Sequence, residues 1–143
     1  MPVKLFERIL VTTDGSEKNK AAVEEGIRIA RTCGSQLFAV YVIDSGTYEQ
    51  APVEVAMGDT YRQLRDEAER SLEQVRSLAG GIPLETVILE GKPAAEIVRF
   101  AEEKEVDLII IGTRGKRGLE RIFLGSVAEA VVRTAACRVL VVK

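Results

Sequence analysis

Val106-Asp-Leu-Ile-Ile-Ile111-Gly112-Thr-Arg114-Gly115-Lys116-Arg117-Gly-Leu-Glu-Arg121-Ile-Phe-Leu-Gly125-Ser126-Val127-Ala-Glu-Ala-Val-Val-Arg-Thr-Ala135 reads as a buried strand, a glycine-rich loop and a helix in succession. The apolar run predicts the strand over 106–111, and the spacing after Ser126 predicts the helix over 127–135. Glycines let a backbone approach an anion, and unpaired amides at a helix start point at it. The loop also concentrates Arg114, Lys116, Arg117 and Arg121 in a chain whose net charge is −2. A charge run of this kind is either a solvated loop or a phosphate site, and its place among glycines before a helix points to phosphate. Ser126 with Glu129 three residues on matches a capping box.

The same alternation extends in both directions. Arg8–Thr13 is a first strand, followed by a helix that Ser16 caps and Gly34 ends. Leu37–Ile43 is apolar at nearly every position, as a central parallel strand requires. A long helix over about 58–79 buries Tyr61, Leu64, Ala68, Leu72, Val75 and Ala79, and Gly80-Gly81 closes it. Leu84–Leu89 is the third strand, Pro93 opens the next helix, and Arg138–Val142 is the last strand. Five strands alternating with four helices predict one α/β domain over residues 1–143, with a mainly parallel sheet and helices on both faces.

Composition excludes several functions. Of 143 residues, 46% are hydrophobic and 29% charged, as in an ordinary globular domain. The near-neutral net charge argues against a nucleic-acid binder. No stretch is long and apolar enough for a membrane span, and the charge-interrupted first residues show no secretory pattern, so a cytoplasmic location is expected. Cys33 and Cys137 form no metal or redox spacing and read as small buried apolar residues. The chain has no histidine, which removes Ser-His-Asp and Cys-His catalysis and His-ligated zinc.

Ligands of open α/β sheets sit beyond the carboxyl ends of the strands. Thr13-Asp14-Gly15-Ser16 and the glycine loop both follow strands and suit that edge. Asp14 reads in two ways, as a turn residue bonding its own backbone or as an acceptor for ribose hydroxyls and a contact for phosphate-bound Mg²⁺. The connection from Asp44 to Met57 is either a lid or a solvated crossover. The loop is neither a Walker A sequence nor a GxGxxG fingerprint.

Taken with Ile9-Leu-Val-Thr-Thr-Asp14-Gly-Ser16, Tyr41-Val42-Ile43-Asp44 and the spacing Gly112-x2-Gly115-x9-Gly125-Ser126, the chain resembles the ATP-binding subclass of the universal stress protein family from end to end. The resemblance implies strand order 3-2-1-4-5 and a homodimer through Arg138–Val142. It implies ATP, with AMP or ADP as alternatives, carrying Mg²⁺. Thr12 or Thr13, Val42 and Ile111 would line the adenine pocket, Asp14 and Gly112 would approach the ribose, and Gly115, Gly125, Ser126 and Val127 would meet the phosphates beside Arg114, Lys116 and Arg117. The expected role is a stress or signalling module with an unidentified protein partner and slow or no hydrolysis. The alternatives are a dimeric interaction module without nucleotide and an adenine-nucleotide α-hydrolase-like enzyme. Two positions depart from the family's usual pattern: Arg138 stands where a proline is frequent, and Arg114 where a histidine is.

Overall fold

Parallel strands that alternate small and branched apolar residues on both faces need helices above and below, and this is what the chain builds. The computed structural model describes residues 5–46, 56–113 and 124–143. In chain order the elements are β1 (Arg8–Thr12), α1 (Glu17–Cys33), β2 (Gln36–Asp44), α2 (Ala56–Ala79), β3 (Leu84–Gly91), α3 (Pro93–Glu103), β4 (Leu108–Gly112), α4 (Ser126–Thr134) and β5 (Arg138–Val142). The sheet order is β3-β2-β1-β4-β5, parallel at every pairing.

The sheet divides the core into two. On one face Ile9, Val11, Leu37, Ala39, Tyr41, Ile43, Leu108 and Ile110 pack against α1 and α2. On the other, Leu10, Phe38, Val40, Ile109 and Ile111 pack against α3 and α4. Ile9, Leu10, Ile109 and Ile110 are wholly buried, each contributing about 1.5–3 kcal/mol of transfer free energy. The period of two along each strand thus feeds both layers at once.

The ends of the elements carry their own chemistry. Ser16 caps α1 by accepting from the Asn19 N–H, and Gly34 closes it at φ 68. Pro93 stands at the start of α3. Arg31 donates to the Ala79 carbonyl at 3.0 Å, tying the end of α1 to the end of α2. The Asp107 carboxylate accepts from the Glu7 and Arg8 amides at 2.9 and 3.2 Å and so seats the start of β1.

Three expectations need correction. Val106 is not strand: its N–H bonds to the Ala101 carbonyl and completes the turn that ends α3. Ser126 does not form a capping box. Gly125 is the N-cap, no side chain caps the helix, and Ser126 is already helical. Cys33 and Cys137 are half-buried rather than core residues, and both are free thiols; burial pushes the Cys137 thiol above its ordinary range.

Candidate functional site

The order β3-β2-β1-β4-β5 reverses winding between β1 and β4, where Leu10 lies beside Ile109 and Val11 beside Ile110. The connections leaving β1 and β4 therefore diverge and open a crevice at the carboxyl edge. A cavity of about 390 Å³ fills it, within the range of ligand pockets. Thr12, Thr13, Asp14, Val42, Ile111, Gly112, Gly125, Ser126 and Val127 all line this cavity. Arg114, Gly115, Lys116, Arg117 and Arg121, with most of the Asp44 to Met57 connection, lie outside the described residues.

Unequal strand lengths shape one wall. β1 stops at Thr12, which is paired with Val40, while β2 continues to Asp44 beside β3. The Thr13 N–H donates to the Val40 carbonyl at 2.9 Å, so the polar groups of Val40 face β1. A strand repeats every two residues. The N–H and C=O of Val42 therefore point the same way, beyond the end of β1 and into the cavity. The side chains of Val40, Ile97, Ile111 and Val127 supply apolar surface around that donor–acceptor pair. A flat heteroaromatic ring with a hydrogen-bonding edge fits such a slot.

The opposite wall is a helix start. The first amides of a helix lack intrahelical acceptors. In α4 the Gly125 N–H donates across the loop to the Thr113 carbonyl at 2.9 Å, and the Glu129 N–H is bonded to the Gly125 carbonyl. The Gly125 N–H is thus already paired with the end of β4. Ser126, Val127 and Ala128 lie between these bonded groups, and all three border the cavity. Their amides and the positive end of the helix favour negative charge there.

Asp14 stands between the two walls. Its Oδ1 accepts from the Ser16 N–H at 2.9 Å and from the Ser16 hydroxyl at 2.6 Å. The turn reading is thus realised, and the carboxylate is fixed at the cavity edge by the same bonds. Among the described residues no bond engages Oδ2. The described residues hold no group of three His, Cys, Asp or Glu side chains suited to a metal ion.

Asn19 is a site residue that the sequence reading passed over. It lines the cavity and is 5% exposed. The spacing Ser16-x-x-Asn19 is that of a capping box, but the carboxamide reaches past Ser16 to the Asp14 amide and the Thr12 carbonyl.

The universal stress protein family model matches residues 5–143. The chain is 43% identical to universal stress protein MJ0531 of Methanocaldococcus jannaschii over 141 residues, covering 97% of this chain and 83% of that protein. It is 32% identical to the solved structure of MJ0577, with a TM-score of 0.85 and coverage of 97% and 96%. A universal stress protein from Archaeoglobus fulgidus, solved in complex with dAMP, shares the fold at 22% identity and a TM-score of 0.69, covering 97% of this chain and 99% of that one. No helix among the described residues is long and apolar enough to cross a membrane.

Proposed function

The chain belongs to the universal stress protein family, and from that premise we propose that its carboxyl-edge cavity binds an adenine nucleotide, ATP before AMP or ADP, as a cytoplasmic binding switch. The observation that carries the reading is the cavity itself, with the main-chain edge of Val42 at one end and the start of α4 at the other. The base lies against Val40, Val42 and Ile111, the ribose faces Asp14 and Gly112, and the phosphates run toward Ser126 and Val127. By the family resemblance, Gly115 and the cations Arg114, Lys116 and Arg117 would join them at the phosphates, and Mg²⁺ arrives with the nucleotide. The dAMP complex of the Archaeoglobus relative supports the ligand class for this fold.

Binding, and not turnover, is the proposed role. The chain has no histidine, and among the described residues the carboxylates on the cavity wall are Asp14 and Asp44. Asp14 Oδ1 is engaged by Ser16, and Oδ2 is assigned to the ribose. Amides and cations stabilise phosphate charge, but without a base to orient water they contribute affinity more than rate. Nucleotide occupancy would instead bias the conformation offered to a protein partner. The proposed assembly is a homodimer through Arg138–Val142, because among the described residues β5 is an edge strand bonded to β4 and an apolar edge invites pairing.

Titration with a fluorescent ATP analogue, competed by ATP, ADP and AMP, tests the reading. Saturable binding displaced best by ATP is expected. No saturation up to about 1 mM would leave a dimeric interaction module as the function. Steady-state ATP turnover at about 1 s⁻¹ or faster would replace the switch with an enzyme.

A further inference from the structure

Asp14, Ser16 and Asn19 form a closed ring of hydrogen bonds. The Asn19 N–H donates to the Ser16 hydroxyl oxygen at 3.2 Å, that hydroxyl donates to Asp14 Oδ1 at 2.6 Å, and the Asp14 N–H donates to Asn19 Oδ1 at 3.2 Å. The other end of the same carboxamide, Asn19 Nδ2, donates to the Thr12 carbonyl at 3.3 Å. One buried side chain thus spans the last residue of β1 and the residue after Thr13. The two partners are a backbone donor and a backbone acceptor, so the orientation of the amide is dictated: reversed, it would set N–H against N–H and O against O. Aspartate offers no donor when ionised, and serine or threonine is too short to reach both groups. Only a short carboxamide meets both demands.

We propose that Asn19 is a positioning residue for recognition of the ribose diol, acting through Asp14. It makes no claim on the base or the phosphates. Its carboxamide sets the separation of Thr12 and Asp14, while Ser16 occupies Asp14 Oδ1. Oδ2 is thereby presented to the cavity as an acceptor for the vicinal hydroxyls of a ribonucleotide. Asn19 and Thr13 also line a second cavity, between α1 and α2, so the wall behind the turn consists of the groups that hold it. This inference rests on the nucleotide reading of the cavity.

The test compares ATP with 2′,3′-dideoxyATP, which keeps the base and phosphates and lacks both hydroxyls. In Asn19→Leu, similar in volume and without hydrogen bonds, ATP affinity should fall by about tenfold, the scale of one hydrogen bond to a charged group, while dideoxyATP affinity stays within about twofold. In an Asp14→Ala background, adding Asn19→Leu should cost ATP affinity nothing further, because residues acting through one group are not additive. A purely structural role would lower both affinities equally and remain additive, and that result overturns the inference while leaving the nucleotide reading intact. Failure of the unsubstituted protein to bind either nucleotide overturns both. Should Asn19→Leu not fold, Asn19→Ala removes the same two bonds without bulk and carries the same comparison.

Discussion

A Cβ on Gly15 would fall 2.2 Å from the Ser71 hydroxyl oxygen and 3.2 Å from Ser71 Cβ. The turn that carries Asp14 therefore rests directly on α2. Gly15 also holds φ +77, a conformation that costs other residues about 1–2 kcal/mol. Gly15→Ala should destabilise by more than that, because the Ser71 hydroxyl must also leave the Glu67 carbonyl it donates to at 2.8 Å. Ser71→Ala should recover part of the loss. Urea unfolding of the two single variants and the double variant measures the coupling. Strict additivity would mean that the contact yields without cost.

Gly125→Val should separate binding from folding. Gly125 sits at φ −62, ψ 155, ordinary backbone for any residue, so the substitution imposes no backbone strain. It places a branched side chain at the phosphate end of the cavity. ATP affinity by calorimetry should fall at least about tenfold, near 1.4 kcal/mol, with the circular dichroism spectrum unchanged. Unaltered affinity in the folded variant would remove the phosphates from this end.

Strand register decides how to test the dimer. The Val142 carbonyl accepts from the Thr113 N–H, so Val142 and, two residues back, Leu140 direct their polar groups to β4. Val139 and Val141 direct theirs to the open edge. Val141→Pro should remove an outward donor without breaking the β4 ladder and shift the protein to monomer in light scattering. Leu140→Pro should instead damage the fold. A monomer for the unsubstituted chain at micromolar concentration rejects pairing through β5.

The Arg99 guanidinium holds the Glu96 carboxyl below its ordinary pKa of 4.5, against a smaller opposing effect of burial. Arg99 Nη2 lies 2.8 Å from Glu96 Oε1, and Nη1 lies 2.6 Å from Glu103 Oε1. A depressed carboxylate contributes stability that is complete above about pH 4.5 and is lost as pH falls through the folded-state value. The pair is partly exposed, so solvent screening keeps the effect small. Glu96→Gln should therefore be less stable than the unsubstituted chain at pH 7 and nearly equal to it at pH 3 in urea titrations. A difference equal at both pH values would assign the loss to packing, since the Glu96 side chain lies against Gly91, where an added Cβ would come 2.9 Å from Glu96 Cγ.

Element type was legible because each strand and helix satisfies a strong local period. Leu37–Ile43 is apolar on both faces, and β2 is buried on both. Pro93 and Gly34 mark the start and stop they were expected to mark. What escaped depended on which of two adjacent residues closes a helix. Ser126 and Glu129 have the spacing of a capping box, but Gly125, drawn to the Thr113 carbonyl, takes the cap position first. Val106 is apolar and continuous with β4, yet its amide is taken by α3. Asn19 went unread because a polar residue inside a helix is ordinarily on its solvated face. The crevice itself depends on β1 lying beside β4. No local pattern carries that adjacency, which followed from the family resemblance and stands in the sheet order.

The early end of β1 has a consequence for how this protein can diverge. Where β2 runs on past the end of β1, still paired with β3 on its other side, the groups facing the ligand are an amide and a carbonyl that any amino acid except proline supplies. Replacement of Val42 changes the width of the slot and leaves its donor–acceptor pattern in place. Selection at that position acts on volume, while the chemical alphabet of the recognised edge is inherited with the strand lengths. Side chains can drift far in such a lineage before the ligand class changes, and the shortest route to a new one is to lengthen β1.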